Sequence, residues 1–512
     1  MELRINISEY LVKTVNLFKE KTAIIDGECQ ISFYELDRKS RQLAKVIVNT
    51  CNCKNRPIAM FMPKCIEAAQ ADLAITYSGN AYMNLDVKNP AERLGNILKL
   101  IQPVAIITNA RYKKQMEPIA GDILIIDVDE ISQDTDVPDA EWFLNRNSDL
   151  IDTDPYCLIN TSGSTGTPKG VVLNHKSFID FMSQTFDEYN FRETDVIGSL
   201  SPVIFDIWSY ELCLLQGRGL SIVVIPDAYS AFPVKILQLM QHQKVSYIFW
   251  VPTIMVNIAN MGLLQQVPLP DLRVCWFAGE VFPTKQFNIW HHNLPQVQFS
   301  NYYGPIEITL DCVYYDIKRE ISDDEPLPIG KAFRNTDILI LDEKNQRITE
   351  SNKEGELCVR GTSLAMGYYN NPEKTAAAFV QNPLNNSYPE IIYRTGDIVF
   401  INDRGEIVFK GRKDSLIKHM GYRIELGEIE HVIINTLKIV KNGCVVYCHD
   451  KKEITLFYEG DQELSAADFR KAIGNSLPKY MIPVVYRKLN ELKRNPNGKV
   501  DRLYYSKLTN KE

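Results

Sequence analysis

Short, nearly unbroken apolar runs recur through the first part of the chain, each followed by a stretch of helical spacing. They include PIAMFM (57–62), VAIIT (104–108), ILIID (123–127), YCLIN (156–160), SYIFWV (246–251), RVCWFAG (273–279) and QVQFSNYYG (296–304). A strand buried on both faces reads this way, whereas a strand with one wet face alternates apolar and polar residues. Between the runs, FYELDRKSRQLAKVIV (33–48) puts Leu36, Leu43, Ala44 and Ile47 on one helical face, and 175–186 and 233–242 also read as helices. Strand–helix alternation on this scale specifies an α/β protein with mainly parallel sheets.

Past residue 330 the texture changes. DILILDEKNQRI (337–348) has a polar turn between two extended runs and reads as a hairpin, and GELCVRG (355–361) as a short strand. A smaller, antiparallel-rich segment is expected there. After KGRKDS (410–415), IELGEIEHVIINTL (424–437) places Leu426, Ile429, Ile433 and Leu437 on one helical face. Strands at 443–448 and 453–458 follow, then a helix opened by Ser465 and Asp468 at capping-box spacing. This last segment reads as an independent α+β domain.

A net charge of −7 argues against a nucleic-acid or anionic-membrane partner, since both need a basic face. The N-terminus lacks a signal-type apolar core, and no run of 18 apolar residues occurs, so a cytoplasmic protein is expected. Its eleven cysteines are then reduced thiols packed as small hydrophobes. Neither Cys51 with Cys53, nor Cys444 with Cys448 and His449, has the paired spacing of a zinc site.

TSGSTGTPKG (161–170) lies between an apolar strand and a helix. Gly163, Gly166 and Gly170 let backbone N–H groups approach an anion, the hydroxyls of Thr161, Ser162, Ser164, Thr165 and Thr167 add donors, and Lys169 adds charge. The composition suits a polyphosphate. It is not the P-loop GxxxxGK[ST], because Pro168 precedes Lys169 and Gly170 follows it.

This loop resembles the phosphate loop of adenylate-forming enzymes: acyl-CoA synthetases, luciferases and the adenylation domains of nonribosomal peptide synthetases. Further segments resemble that family's motifs in order: NYYGPIEIT (301–309), GELCVRG, YRTGD (393–397), GRKDSLIKHMGYRIELGEIE (411–430), LPKYMIP (477–483) and NPNGKVDR (495–502). The resemblance implies an N-terminal domain over 1–411, with two α/β subdomains and a smaller β-rich one. It implies a mobile α+β C-terminal domain over 412–512, hinged near Asp414. The implied reaction uses ATP and Mg²⁺. A substrate carboxylate displaces pyrophosphate from the α-phosphorus, and the adenylate then acylates a thiol.

By the same resemblance, Thr161, Ser162, Gly163, Ser164 and Gly166 cradle the β/γ-phosphates, with Thr165 and Lys169 the principal side chains. Glu307, with Thr165, is expected at the metal. Asn301, Tyr302, Tyr303 and Gly304 lie by the adenine, Asp397 accepts from the ribose hydroxyls, and Arg412 sits near the ribose. Lys499 bridges the substrate carboxylate and an α-phosphate oxygen. Lys418 and Gly421 belong to a second, thiol-accepting state. Ile306 stands where the family has a Thr, removing a hydroxyl expected near the α-phosphate.

In SPVIFDIWSYE (201–211), Asp206 matches the residue that holds the α-ammonium in amino-acid-activating relatives, and a helix N-cap is the competing reading. Pocket positions carried over are Ile207, Tyr210, Phe249, Trp276, Ala278, Tyr302, Leu310 and Asp311. Bulky aromatics imply a small side chain, and Asp311 a polar or basic one; serine-like or other small polar substrates fit both. D-Alanine–carrier ligases are also similar, notably at AGEVFP (278–283). No carrier attachment motif follows Lys499, and HHNLPQV (291–297) is not a condensation motif, so His291 and His292 are expected at the surface. The thiol acceptor is expected to be a separate phosphopantetheinylated carrier protein, with CoA second. An acyl- or aryl-CoA synthetase and a non-catalytic adenylate-binding partner remain the alternatives.

Overall fold

The computed structural model describes residues 5–131, 137–162, 168–413, 416–460, 464–494 and 500–509. The chain separates into two units, one of residues 1–87, 103–159 and 171–411, the other of residues 88–102, 160–170 and 412–512.

The α/β expectation holds in the first unit. The apolar runs become strands whose residues are almost all buried, as strands covered on both faces must be. One sheet has nine strands, and its central members pair in parallel, Gln298–Tyr303 with Val274–Phe277, then Tyr247–Trp250, Val196–Ser199, Ser221–Val224 and Thr22–Asp26. Its edges turn antiparallel, through Val313–Asp316 and Lys331–Ala332 on one side and Cys29–Ser32 on the other. A seven-stranded sheet sets Ala81–Asn84 between Pro155–Thr161 and Pro57–Met60, all in parallel. Helices with one apolar stripe cover these sheets, and in Phe33–Cys51 the stripe of Leu36, Leu43, Ala44 and Ile47 is fully buried. Among the described residues no helix is long and apolar enough to cross a membrane.

The β-rich segment is a five-stranded sheet in which Gly355–Gly361 pairs antiparallel with both Thr336–Leu341 and Ile391–Ile401. The hairpin expected within 337–348 forms only in a short version: Leu341 bridges Arg347 antiparallel, the Asp342 amide donates to the Gln346 carbonyl at 3.0 Å and the Ile348 amide to the Ile340 carbonyl at 2.8 Å. The Asp342 side chain accepts from the backbones of Lys344 and Gln346, closing a local turn that ends the strand, and Gly355–Gly361 becomes its partner. The histidine expectation needs a change as well: His292 is exposed, but His291 is half-buried and stacks on Phe287.

In the second unit Leu416–His419 and Tyr422–Glu425 form a hairpin. Its two-residue loop has φ of 54° at Met420 and 82° at Gly421, the left-handed pair such a turn demands. The helix expected over 424–437 is shorter. Ile424 and Glu425 belong to the hairpin, the α-helix covers Leu426–His431, and Val432–Thr436 widens into a π turn at its β-branched run. A three-stranded sheet and the helix Ala466–Ile473, with its Ser465–Asp468 capping box in place, complete the layer.

His175, in the first unit, is 3% exposed, and its Nδ1 accepts from the Ile7 amide at 3.3 Å, which requires a neutral ring. Burial pushes its pKa down to about 3. The unfolded chain takes up this proton near the ordinary histidine value and the folded one does not, so stability falls as pH drops from about 6.5 toward 3. His175→Gln should therefore flatten the acid limb of a thermal-melt pH series, by about 2–3 kcal/mol at pH 4.5. An acid limb as steep as that of the parent would contradict this.

Candidate functional site

The strand Gln298–Tyr303 leads into Gly304, Pro305 and a 3₁₀ turn over Ile306–Ile308, and the chain returns as Val313–Asp316. The reversal is tight. A Cβ on Gly304 would lie 2.4 Å from both the Leu310 carbonyl oxygen and the Asp311 Cα, so only glycine allows the two arms to meet. Thr309 and Leu310 adopt φ of 48° and 62°. Left-handed backbone is strained for side chains of these types, above all for a β-branched one. The Cys312 amide donates to the Tyr303 carbonyl at 2.9 Å, closing the loop at its base.

Asp206 supplies the other restraint. It is the first residue of the helix Asp206–Arg218, which has no side-chain cap. Its Oδ2 instead accepts from the Leu310 amide at 3.1 Å. The N-cap reading therefore fails: this carboxylate, 8% exposed, faces a turn a hundred residues away in sequence.

Three more of the expected site carboxylates are buried in the same unit. Glu307 is fully buried, and its Oε1 accepts from the Tyr368 hydroxyl at 2.8 Å, while its carbonyl accepts from the Ala365 amide. Asp397 accepts from the Tyr303 hydroxyl, and its amide donates to Thr395 Oγ1 at 3.0 Å. Burial, followed by the Asp397 charge, raises the Tyr303 phenol well above its ordinary range, so it stays a donor. Asp311 is buried where the chain returns. Asn301 donates its amide to the Pro328 carbonyl at 2.8 Å.

The aromatic positions form a stack. Tyr210 lies one helical turn beyond Asp206 and is near-parallel to Trp276 (5.7 Å, 19°), which stacks on Tyr302 (4.4 Å, 27°), with Phe249 edge-on at 5.5 Å. The Tyr210 hydroxyl pairs with Thr185 Oγ1 at 2.6 Å. All four rings are buried, as are Ile207, Ala278 and Leu310. Three polar atoms of these residues lack a hydrogen-bond partner among the described residues: Trp276 Nε1, the Tyr302 hydroxyl and Thr309 Oγ1.

In the second unit Lys169 Nζ lies 3.1 Å from Glu425 Oε1. Ser162 Oγ donates to the Arg423 carbonyl at 2.7 Å and accepts from the Glu425 amide at 3.0 Å. The expected phosphate lysine thus sits against a carboxylate, and Thr161 ends its strand buried. Arg412 closes the strand Ile407–Arg412, Lys418 lies in the hairpin, and Gly421 serves its turn. Gly163, Ser164, Thr165, Gly166, Asp414 and Lys499 lie outside the described residues.

Sequence reasoning missed Tyr368, Glu425, Thr185 and Thr309. Tyr368 and Glu425 touch named candidates across long separations that carry no local signal. Thr309 lies inside a quoted motif, where its unpartnered hydroxyl is visible only once the turn is built.

The AMP-binding enzyme family matches residues 11–369. Tyrocidine synthase 1 of Brevibacillus parabrevis is 30% identical over 506 residues, which is 97% of this chain and 44% of that protein. This chain thus spans less than half of that relative. Zwittermicin A synthase ZmaJ of Bacillus cereus is 28% identical, covering 94% of this chain and 91% of its own. The fold matches that of a Vibrio cholerae adenylation domain, AlmE, solved with glycyl-adenosine-5′-phosphate, at a TM-score of 0.85 and 20% identity over 100% and 99% of the two chains. The chain belongs to the AMP-binding enzyme family.

Proposed function

We propose that the protein activates a small amino acid with ATP as the aminoacyl adenylate, releasing pyrophosphate, and passes the acyl group to the phosphopantetheine thiol of a carrier protein. The observation that carries this reading is Asp206: a buried carboxylate at a helix start, unused as a cap, beside the turn after Tyr303. Burying a carboxylate is costly, and in this reading an α-ammonium adds a charged partner to the hydrogen bond that Asp206 already accepts from the Leu310 amide.

The substrate carboxylate is already ionised at neutral pH and needs no general base, so the protein's contribution is positioning and charge stabilisation. Carboxylate oxygen bonds to the α-phosphorus as the bond to pyrophosphate breaks; thiolate sulfur then bonds to the carbonyl carbon as AMP leaves. In this reading Asp206 holds the ammonium, Asp397 the ribose hydroxyls and Lys169 the outer phosphates. Lys499 bridges the two negative groups that must approach. Thr309, with its buried and unpartnered hydroxyl, is the donor that compensates for Ile306.

Glu307 suits a magnesium ion. It is a hard, fully buried oxygen donor, and Mg²⁺ takes only one or two carboxylates and completes its shell with phosphate and water. Bound there, Mg²⁺ would draw charge from the leaving pyrophosphate.

In this reading the packed Tyr210–Trp276–Tyr302 stack, whose Tyr210 follows Asp206 by one helical turn, limits the substrate to a side chain of the size of glycine, alanine or serine. ATP–pyrophosphate exchange across L- and D-amino acids should respond to one of these. Asp206→Ala should lower kcat/KM roughly 100-fold, the ~3 kcal/mol of a buried charge left without its partner. Exchange driven by fatty or aryl acids would overturn the reading. Trp276→Leu should open the stack and raise exchange with leucine or valine at least tenfold, at a stability cost of a few kcal/mol; an unchanged substrate order would contradict the assigned pocket. Lys499→Ala should abolish adenylate formation yet leave thiol transfer from supplied adenylate largely intact, and equal loss of both would reject its assignment.

A further inference from the structure

Asp72 lies in the helix Ile66–Tyr77, among apolar neighbours and nearly inaccessible to water. Its Oδ2 accepts from Asn84 Nδ2 at 2.9 Å and from the indole Nε1 of Trp208 at 2.8 Å. The same Asn84 amide donates to the Val203 carbonyl at 3.0 Å. A helix and a strand end thus grip one short segment at two points, Val203 and Trp208. Phe205 and Asp206 lie between those points.

Stability alone does not account for this arrangement. Asp72 Oδ1 and Asn84 Oδ1 have no partner among the described residues. A buried polar cluster left partly unsatisfied is worse for stability than an apolar one of the same shape. What such a cluster provides is direction: hydrogen bonds fix orientation where apolar packing tolerates sliding. The strand end before the segment is tied separately, through Lys64 Nζ to the carbonyls of Ser199 (2.6 Å) and Ser201 (3.2 Å). The Asp72 cluster brackets Asp206 from Val203 to Trp208. Asp206 in turn holds the Leu310 amide, so the contacts run without a break from Asp72 to the left-handed turn.

We propose that Asp72, acting through Asn84 and Trp208, is a positioning residue that sets the Asp206 carboxylate for its ammonium partner. The inference rests on the reading of Asp206 given under the proposed function. It separates two effects that general destabilisation would merge: amino-acid binding depends on the cluster, and ATP binding does not.

The test compares the full chain with its Trp208→Phe, Asp72→Leu and Asp72→Asn variants. Trp208→Phe removes the indole donor and keeps an aromatic ring in place. Asp72→Leu removes the polar centre at similar volume. Asp72→Asn keeps an acceptor and serves as the conservative rescue. In pyrophosphate exchange, the KM for the amino acid should rise at least fivefold in the first two variants. The KM for ATP should stay within twofold, and Asp72→Asn should lie near the parent. Amide hydrogen exchange over 203–210 and 309–311 should quicken while the rest of the unit is unchanged, a readout that does not need activity. Parallel rises in both KM values, or unchanged KM values with unchanged exchange in an active parent, would overturn the positioning role alone. A parent with no amino-acid-dependent exchange would overturn the proposed function and this inference with it.

Discussion

A single hydrogen bond organises the first unit: the Leu310 amide donating to Asp206 Oδ2. Thr309 and Leu310 would leave the left-handed region if nothing held them, since each such residue costs on the order of 1 kcal/mol or more. The bond ties the turn to a helix start, and Gly304 lets the two arms meet. With the turn fixed, Glu307 just ahead of it, Asp311 just beyond it and Tyr303 at its base are fixed too. One constraint thereby orients the Asp206 and Glu307 carboxylates and the phenol that donates to Asp397.

The neighbouring aromatic stack works in the opposite sense. Its rings are packed face to face and edge to face, with no polar group in the Trp276 stack but the indole N–H and the two phenol oxygens. Such a cluster is rigid, because close-packed interiors deform little. Polar side chains fix orientation in this unit and the packed rings fix shape, and the two come from different parts of it.

Much of the architecture was legible in the residues because its physics is local. Strands covered on both faces must read as apolar runs, and the helix Phe33–Cys51 must show a stripe; both do. The capping box at Ser465 was readable because all its parts lie within four residues. Legibility failed where the deciding partner is distant. Nothing near Thr309 announces a left-handed backbone, because the cause is Asp206, far off in sequence. Nothing near Glu307 announces Tyr368. The hairpin at 337–348, cut short after its turn, and the π turn at Val432–Thr436 show local pattern losing to turn chemistry and β-branched crowding. Asp206 was the instructive ambiguity: a cap and a group facing a distant element look identical in sequence, and the hydrogen bond to Leu310 excludes the cap.

The most direct measurement is a crystal structure of the full chain with a non-hydrolysable aminoacyl-sulfamoyl adenosine of the amino acid that the protein accepts. The account predicts the α-ammonium within hydrogen-bond distance of an Asp206 carboxylate oxygen, the ribose hydroxyls on Asp397, and the substrate side chain stopped by Trp276. An inhibitor bound with its amine away from Asp206, or with its ribose away from Asp397, would contradict it.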